Sequence, residues 1–322
     1  MKIINAQTVQ EIVNIKDIIS AMKEAFRMQK QGGYDMPPRV ALDYRENNTL
    51  LLMPCFKNDY FATKLITIFP DNASHGEAVT LAAIVLNDGA TGKPLAFMDG
   101  SIVTALRTGS VGACGAAALS AGEADSVGLV GCGRQGLFQI LALSELRPLK
   151  TVRFFDQSTA SMQKFAEQLS ALKPHLQLVA CQSSADVLEN TQIVICTTTS
   201  QKPVLPDEPQ LLKDKTFIGI GAFKPDMREL PDSVFALATE VFVDTEHAVA
   251  ESGELADPLQ RGLLKKENIR LLAEIIDNPP LSPEKGGIRV FKSVGISLFD
   301  LQAAELIYKQ ALAVGGGLDI EL

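Results

Sequence analysis

From Ala124 to the end of the 240s, short apolar runs alternate with segments of helical periodicity. The runs predict buried strands at Val127–Val130, Val152–Phe155, Leu176–Ala180, Ile193–Thr197, Phe217–Gly221 and Val241–Val243. Helical spacing of the apolar residues predicts helices after Gly136, over Thr159–Leu172 and over Ser183–Leu188. Strands that alternate with helices in this way are typical of an α/β fold with a parallel, doubly wound sheet.

The first hundred residues show a different pattern. Apolar positions over residues 8–31 follow helical spacing until Gly32-Gly33 ends the helix. Strand-like runs follow at Val40–Tyr44, Thr49–Met53, Phe61–Phe69, Ala78–Leu86 and Leu95–Met98, with turn residues between the last two. We expect a mainly antiparallel α+β unit here, to which a C-terminal helix over Val294–Val314 returns. The residues from Gly315 onward are predicted to form a loose tail.

A glycine- and alanine-rich helix, Ile102–Ala121, connects the two patterns. Glycine is about 1 kcal/mol worse than alanine inside a helix, so this many glycines require a packing reason, such as the close approach of another backbone. We therefore predict two domains. Residues 1–113 with 300–322 form a substrate-binding and dimerisation domain, and residues 114–299 form a dinucleotide-binding domain of the Rossmann type.

The strand at Val127–Val130 ends in a glycine-rich turn, Gly131-Cys132-Gly133-Arg134-Gln135-Gly136. Glycines at this spacing permit a tight turn, let backbone N–H groups approach a pyrophosphate, and let the following helix pack closely on the strand. Asp156 ends the next strand, 20 residues beyond Gly136. A carboxylate there accepts hydrogen bonds from ribose hydroxyls and repels a 2′-phosphate, so the sequence predicts NAD rather than NADP.

Charge and composition exclude several partners. The 322 residues carry a net charge of −8, which leaves no basic surplus for nucleic acid or an anionic membrane. The five cysteines have neither paired nor metal-ligand spacing, so we expect buried thiols and no metal. The first residues do not resemble a signal peptide, and we expect a cytoplasmic protein.

Several motifs along the whole chain resemble those of the ornithine cyclodeaminase/mu-crystallin family. They are Met36-Pro37-Pro38-Arg39, Ala62-Thr63-Lys64, the segment Leu86–Ala96, Thr104–Gly109, the glycine turn, Gly221–Leu230, and Ser293-Val294-Gly295 with Asp300. The resemblance implies the two-domain plan and a homodimer formed through the sheet of the first domain.

Three cations in the first domain are candidates for binding an anionic substrate: Arg39, Lys64 and Arg107. Arginine offers a fork that matches a carboxylate, and lysine supplies a compact charge and a transferable proton. The resemblance implies that all three converge on the carboxylate of a small imino or amino acid. Lys64 is the predicted catalytic residue, with Asp71 as a second proton-relay candidate. The alternatives are solvated surface charges and, for Asp71, a turn-stabilising role.

The predicted cofactor-binding residues lie mainly at the carboxyl ends of strands, where ligands bind in doubly wound sheets. Ordinary turn chemistry is the alternative for each of them. The set is Thr80, Thr108, Gly131, Gly133, Arg134, Gln135, Gly136, Asp156, Thr197, Thr198, Thr199, Gly221, Ala222, Phe223 and Ser293.

One departure from the family pattern bears on the reaction. Cyclodeaminases carry an aspartate base in the Gly221–Leu230 loop, where this chain has Phe223, and a glutamate near Met53, where it has Leu51-Leu52. Phenylalanine cannot move a proton. The loop instead resembles that of the ketimine-reductase branch, which implies NADH-dependent reduction of Δ1-pyrroline-2-carboxylate or Δ1-piperideine-2-carboxylate to L-proline or L-pipecolate. Alternatives are ornithine cyclodeaminase, alanine dehydrogenase, a related dehydrogenase or iminosuccinate reductase, and a non-catalytic ligand-binding protein.

Overall fold

The structure, a computed structural model, describes residues 1–45, 47–279 and 287–321. Its helices are α1 Ala6–Ile12, α2 Ile15–Gln31, α3 Gly100–Leu119, α4 Arg134–Leu143, α5 Thr159–Leu172, α6 Ser184–Val187, α7 Pro209–Leu212, α8 Asp232–Leu237, α9 Ala248–Glu251, α10 Gly253–Gln260 and α11 Ser297–Val314. Short 3-10 helices occupy Pro70–His75, Lys266–Asn268 and Leu272–Glu274.

The strands form two sheets. They are β1 Lys2–Ile4, β2 Tyr34–Asp35, β3 Val40–Tyr44, β4 Asn48–Lys57, β5 Tyr60–Ile68, β6 Thr80–Asp88, β7 Pro94–Asp99, β8 Ser126–Val130, β9 Thr151–Phe155, β10 Gln177–Ala180, β11 Ile193–Cys196, β12 Thr216–Gly219, β13 Ala238–Val243, β14 Ile269–Leu271, β15 Ile288–Lys292 and β16 Leu318–Asp319.

The chain divides into two compact units. Unit 1 comprises Met1–Arg107 with Ile296–Leu322, and unit 2 comprises Thr108–Gly295. One boundary lies inside α3, the glycine-rich helix that was expected to link two domains, and the other lies just before α11. The roles assigned to the two domains remain predictions at this point.

Unit 1 contains a sheet in the order β16-β1-β7-β6-β5-β4-β2, with β3 paired to β4. Strands β2 to β7 pair antiparallel, so the predicted α+β unit is confirmed. Alternate residues of β5 are buried, Ala62, Lys64, Ile66 and Ile68, and α11 packs against this sheet. Lys64 therefore points into the same buried layer as its apolar neighbours, since side chains of a strand alternate between faces.

The opposite face of the unit 1 sheet carries exposed apolar side chains. They include Val40, Leu42, Tyr44, Phe56, Leu81 and Phe97, each more than a third exposed. Cross-strand register places them on one surface: Leu42 lies opposite Leu50, and Phe97 opposite Val85. Exposed apolar residues that share one sheet face are typical of an interaction surface, and the dimer through this sheet stays a prediction.

Unit 2 contains an eight-stranded sheet in the order β10-β9-β8-β11-β12-β15-β13-β14, and all of its pairings are parallel. The predicted doubly wound fold is thus confirmed. Strands β8, β11, β12 and β15 are buried along their length, as expected for strands covered on both faces.

The glycines of α3 have the packing role that the sequence predicted. A Cβ on Gly109 would lie 2.5 Å from the carbonyl oxygen of Phe138 in α4, and one on Gly115 would lie 2.2 Å from the Phe291 ring. The α3 helix is long and apolar enough to cross a membrane, but most of it is buried inside the protein.

Three predictions about elements were wrong. The helix expected over 8–31 is two helices, because Asn14 caps a new helix by accepting a hydrogen bond from the Lys16 N–H. The C-terminal helix begins at Ser297 rather than Val294, after a strand over Ile288–Lys292 that was not predicted. The expected loose tail contains β16, which pairs with β1.

All five cysteines are buried thiols, as predicted.

Candidate functional site

Unit 1 brings together three charged residues from three elements. Asp300, on α11, lies between Lys64 of β5 and Arg107 of α3. Its Oδ2 is 2.6 Å from Lys64 Nζ, and its Oδ1 accepts a 2.9 Å hydrogen bond from Arg107 Nε. All three residues are buried, with at most 5% of their surface exposed. Ionisable groups buried this deeply are costly unless they are paired, and here Asp300 is the partner of both cations.

Lys64 is the member of this cluster whose pKa is shifted. Burial and the positive charge of Arg107 lower the pKa of Lys64 to about 7, and Asp300 opposes this shift through its charge and its hydrogen bond. Arg39, immediately before β3, lowers it further. An amine with a pKa near neutrality can exchange a proton at physiological pH, as a general acid or base requires.

The structure places Lys64 and Arg107 around Asp300, and Arg39 is close enough to influence the pKa of Lys64. That the three cations bind a substrate carboxylate stays a prediction. Asp300 accepts a hydrogen bond from Arg107 Nε, a contact that the sequence did not predict. In the described part of the chain Arg107 makes no further hydrogen bond, so Nη1 and Nη2 are available for a ligand carboxylate. Asp71, in the 3-10 helix Pro70–His75, is exposed, and so is Thr80 at the start of β6. Neither joins the buried cluster.

The glycine turn of unit 2 has the geometry that a dinucleotide requires. Gly131 has a φ of +101°, a left-handed conformation that favours glycine, and a Cβ on Gly136 would lie 2.3 Å from the Gly131 carbonyl oxygen. Nothing lies within 4 Å of a Cβ built on Gly133, the N-cap of α4. The open surface above this helix N-terminus fits a pyrophosphate. Arg134 beside it is exposed, and Gln135 is half-buried.

Asp156 follows β9, on one side of the glycine turn. Its carboxylate accepts 2.8 Å hydrogen bonds from the backbone N–H groups of Cys132 and Ser158. These contacts hold the carboxylate against the turn, and each oxygen keeps a lone pair that can accept a ribose hydroxyl. The geometry therefore fits the role that the sequence predicted for Asp156.

Beyond β8 on the other side, β11 and β12 end in the predicted cofactor segments. Thr197 Oγ1 donates to the Gly131 carbonyl at 2.8 Å, which ties the end of β11 to the glycine turn. Thr199 is exposed, and Phe223 is half-buried. Three residues in these two segments donate hydrogen bonds to one buried carboxylate, that of Glu229. They are Thr198, after β11, and Gly221 and Ala222, after β12.

Two further predicted cofactor residues have their polar groups engaged within unit 2. Ser293, after β15, donates its hydroxyl proton to Asp244 at 2.6 Å, which leaves the hydroxyl oxygen as an acceptor. The Thr108 carbonyl accepts a hydrogen bond from Gln139. Thr108 is buried, with 8% of its surface exposed.

Sequence reasoning did not assign roles to Asp300, Glu229, Glu254 or Asp244, all of which are buried. Asp300 and Glu229 lay inside the motifs that carried the resemblance. The pattern that could have identified them is a single acidic residue in a stretch that is otherwise apolar, such as Ser297-Leu298-Phe299-Asp300-Leu301, since buried carboxylates are rare unless they are paired.

Residues 1–315 match the profile of the ornithine cyclodeaminase/mu-crystallin family. The chain belongs to the ornithine cyclodeaminase/mu-crystallin family. The resemblance predicted from its motifs is thereby confirmed over almost its whole length.

Similar proteins include reductases and a dehydrogenase. The Δ1-pyrroline-2-carboxylate reductase of Bacillus cereus is 28% identical over 327 residues, which cover 100% of both chains. The structure of the Thermococcus litoralis Δ1-pyrroline-2-carboxylate reductase in complex with NADH and L-proline superposes with a TM-score of 0.93 at 28% identity, covering 99% of this chain and 100% of that one. An archaeal alanine dehydrogenase dimer with bound NAD gives a TM-score of 0.91 at 26% identity, covering 100% and 99%.

Proposed function

We propose that this chain reduces a cyclic α-imino acid with NADH, converting Δ1-pyrroline-2-carboxylate to L-proline or Δ1-piperideine-2-carboxylate to L-pipecolate. The predictions that it is an enzyme and that it uses NAD(H) are confirmed by relatives that match over its full length and hold NADH or NAD. The identity of the imino acid is the proposal. One observation carries the reaction type: Lys64, buried beside Arg107 and paired with Asp300, has its pKa lowered to about 7, so it can give a proton to an imine nitrogen.

The unit 1 cluster supplies what imine reduction requires of the protein. Arg107, through Nη1 and Nη2, and Arg39 hold the substrate carboxylate, for which guanidinium groups have matching geometry. Lys64 holds a proton on Nζ for the imine nitrogen, and Asp300 keeps that Nζ in place. When bound, NADH supplies the hydride for the imine carbon. With hydride on carbon and a proton on nitrogen, the C=N bond becomes CH–NH, and no other acid is needed.

Unit 2 contributes the residues for the cofactor. Gly131, Gly133 and Gly136 admit the pyrophosphate, with Arg134 and Gln135 beside it, and Asp156 accepts the ribose hydroxyls. Thr197, Thr198, Thr199, Gly221, Ala222, Phe223 and Ser293 lie at the ends of strands that follow on the other side of the turn. We include Thr80 and Thr108 in the set, in line with the family resemblance. A carboxylate at Asp156 disfavours the 2′-phosphate of NADP.

The positions at which cyclodeaminases carry acidic residues favour reduction over cyclodeamination. Phe223 and the Leu51-Leu52 pair have no titratable group. Leu51 is buried in the layer that contains Lys64, where it offers only apolar contact. Oxidation of an amine and ring closure require a base, whereas a preformed imine requires one proton and a hydride. Alanine dehydrogenase activity uses the same carboxylate-binding residues and is the second candidate, favoured by the alanine dehydrogenase fold match.

A substrate panel tests the proposal. The protein is incubated with Δ1-pyrroline-2-carboxylate, Δ1-piperideine-2-carboxylate, pyruvate plus ammonia, oxaloacetate plus ammonia, or ornithine, and NADH absorbance and ammonia are followed. Rapid NADH loss with the cyclic imines and slower loss with the other acids is expected. Ammonia release from ornithine without net change in NADH identifies a cyclodeaminase instead, and turnover only with pyruvate identifies alanine dehydrogenase.

The remaining expectations concern assembly and location. We propose a homodimer formed through the exposed apolar face of the unit 1 sheet, the cytoplasm as the compartment, and a small imino or amino acid as the partner molecule. Turnover by the wild-type protein distinguishes an enzyme from a non-catalytic ligand-binding protein. Arg107→Ala tests the carboxylate-binding role of Arg107. If Arg107→Ala leaves binding of the imino acid unchanged, the carboxylate-binding role of Arg107 is wrong.

A further inference from the structure

A buried charged cluster in unit 2 lies directly beneath the predicted cofactor edge. It contains Glu229, Glu254 and Lys292, each with none of its surface exposed. Glu254 accepts hydrogen bonds from the backbone N–H groups of Glu229 and Leu230, both at 2.9 Å, and Lys292 Nζ donates to the Gly219 carbonyl at 3.2 Å. Ionisable side chains in the interior of a domain are costly unless they compensate one another and are hydrogen-bonded.

Glu229 connects two separate chain segments. Its Oε1 accepts from the backbone N–H of Thr198 and, at 2.9 Å, from the Thr198 hydroxyl. Its Oε2 accepts from the backbone N–H groups of Gly221 at 2.6 Å and Ala222 at 3.2 Å. One oxygen thus serves the segment after β11 and the other serves the segment after β12. Four donors require a side chain with two acceptor atoms and no N–H of its own, which a carboxylate provides and an amide does not.

The two segments are in close contact at this point. A Cβ on Gly221 would lie 1.9 Å from the Thr198 carbonyl oxygen, so glycine is needed for the approach. Glu229 itself is fixed through its backbone N–H by Glu254. The buried Glu229 carboxylate therefore holds the Thr198 and Gly221–Ala222 segments at a fixed separation.

The sheet order identifies which part of a dinucleotide these segments face. Asp156 follows β9, on one side of β8, and takes the adenosine ribose under the proposed function. The segments tied by Glu229 follow β11 and β12, on the opposite side of β8. A dinucleotide whose pyrophosphate lies at the turn after β8 must extend its second nucleotide over these strands.

We propose that Glu229 is a positioning residue that sets the place of the nicotinamide nucleotide by fixing the Thr198 and Gly221–Ala222 segments. This rests on the proposed function only as far as NAD(H) is the cofactor. Glu229 acts through these segments and touches neither substrate nor cofactor. Hydride transfer is sensitive to small displacements of the reacting atoms, so a shift of the segments lowers both nucleotide affinity and turnover.

Glu229→Gln tests this inference. The amide nitrogen faces donors on one of the two segments, which pushes that segment away while volume and shape are retained. Affinities for NADH and for ADP-ribose, a fragment that lacks the nicotinamide nucleotide, are measured by calorimetry on the full chain. We expect the Kd for NADH to rise about tenfold and that for ADP-ribose to change less than about twofold.

Thr216→Val is the matched control. Thr216 lies at the opposite end of β12, is buried, and donates its hydroxyl to the Leu119 carbonyl at 3.1 Å. It loses a buried hydrogen bond without altering the carboxyl edge, so both Kd values should stay unchanged even if the melting temperature falls. Equal weakening of NADH and ADP-ribose binding by Glu229→Gln, or no weakening of either, overturns the proposal.

Two additions keep the result interpretable. If Glu229→Gln does not fold, Glu229→Asp keeps the carboxylate but shortens its reach to the two segments and should produce the same selective loss of NADH affinity, at about threefold; its absence overturns the proposal. Because binding is measured without an imino acid, a wild-type protein that binds NADH but reduces no imine refutes the proposed function and leaves the Glu229 test intact.

Discussion

Asp300 Oδ2 lies 2.6 Å from Lys64 Nζ, and this ion pair is closed to solvent in the buried layer between the unit 1 sheet and α11. The pair joins α11, near the end of the chain, to β5, near its beginning. Asp300 also holds Arg107 through Nε. One carboxylate therefore sets both the position of the proton donor and the orientation of the guanidinium fork.

Asp300→Asn should shift the pH dependence of imine reduction to lower pH. The ammonium form of Lys64 is the proton donor, so activity should decline as pH rises through the pKa of about 7. Asp300 raises that pKa by charge and hydrogen bonding. Removing its charge should lower the declining limb of the kcat/KM profile by about one pH unit. An unchanged profile in the variant would show that Lys64 is not the group that titrates.

Lys64→Met should abolish turnover and flatten the pH dependence of stability. The pKa of Lys64 is about 7 in the folded protein against about 10.4 in an unfolded chain. Between those values the unfolded chain binds more protons, so the free energy of unfolding rises with pH there. Methionine removes this rise and costs kcat about a hundredfold or more. Urea unfolding at several pH values measures the slope; an equal slope in both proteins contradicts the buried-amine assignment.

Asp156→Ser should improve the use of NADPH. The Asp156 carboxylate is held at the glycine turn by the Cys132 and Ser158 N–H groups, so it cannot move away from a 2′-phosphate. Serine removes the repulsion between two negative charges and keeps a hydroxyl for the ribose. The ratio of kcat/KM for NADH to that for NADPH should fall by about tenfold or more. A wild-type preference for NADPH would refute the assignment of Asp156.

Leu42→Glu should dissociate the proposed dimer. Leu42 is 48% exposed on the apolar outer face of the unit 1 sheet. In the proposed dimer this face is covered, so a glutamate there would be buried without a compensating charge. Light scattering after gel filtration should change from twice the chain mass to the chain mass. Leu172→Glu is the control, since Leu172 is 57% exposed at the end of α5 in unit 2 and should leave the mass unchanged. A monomeric wild-type protein, or a dimeric Leu42→Glu, excludes this face.

The sequence by itself determined the elements and the cofactor class. Alternation of apolar runs with helical periodicity identified the doubly wound sheet, because burial on both faces demands apolar strands of that length. The spacing of Gly131, Gly133, Gly136 and Asp156 predicted NAD, because those constraints act within one local strand, turn and helix. Local patterns also misjudged the break at Asn14 and the strand over Ile288–Lys292, where capping and pairing decide the boundaries.

Only the tertiary structure showed that Asp300 joins Lys64 and Arg107 in one buried cluster. Lys64, Arg107 and Asp300 come from β5, α3 and α11, and no local pattern relates them. In the folded protein the three side chains are buried next to one another and no longer solvated, so their charges interact strongly. The pKa of Lys64 falls to about 7 as a result. The same holds for Glu229, whose carboxylate joins the ends of β11 and β12. Charges interact strongly only where the chain removes water between them, and packing of distant segments decides where that is.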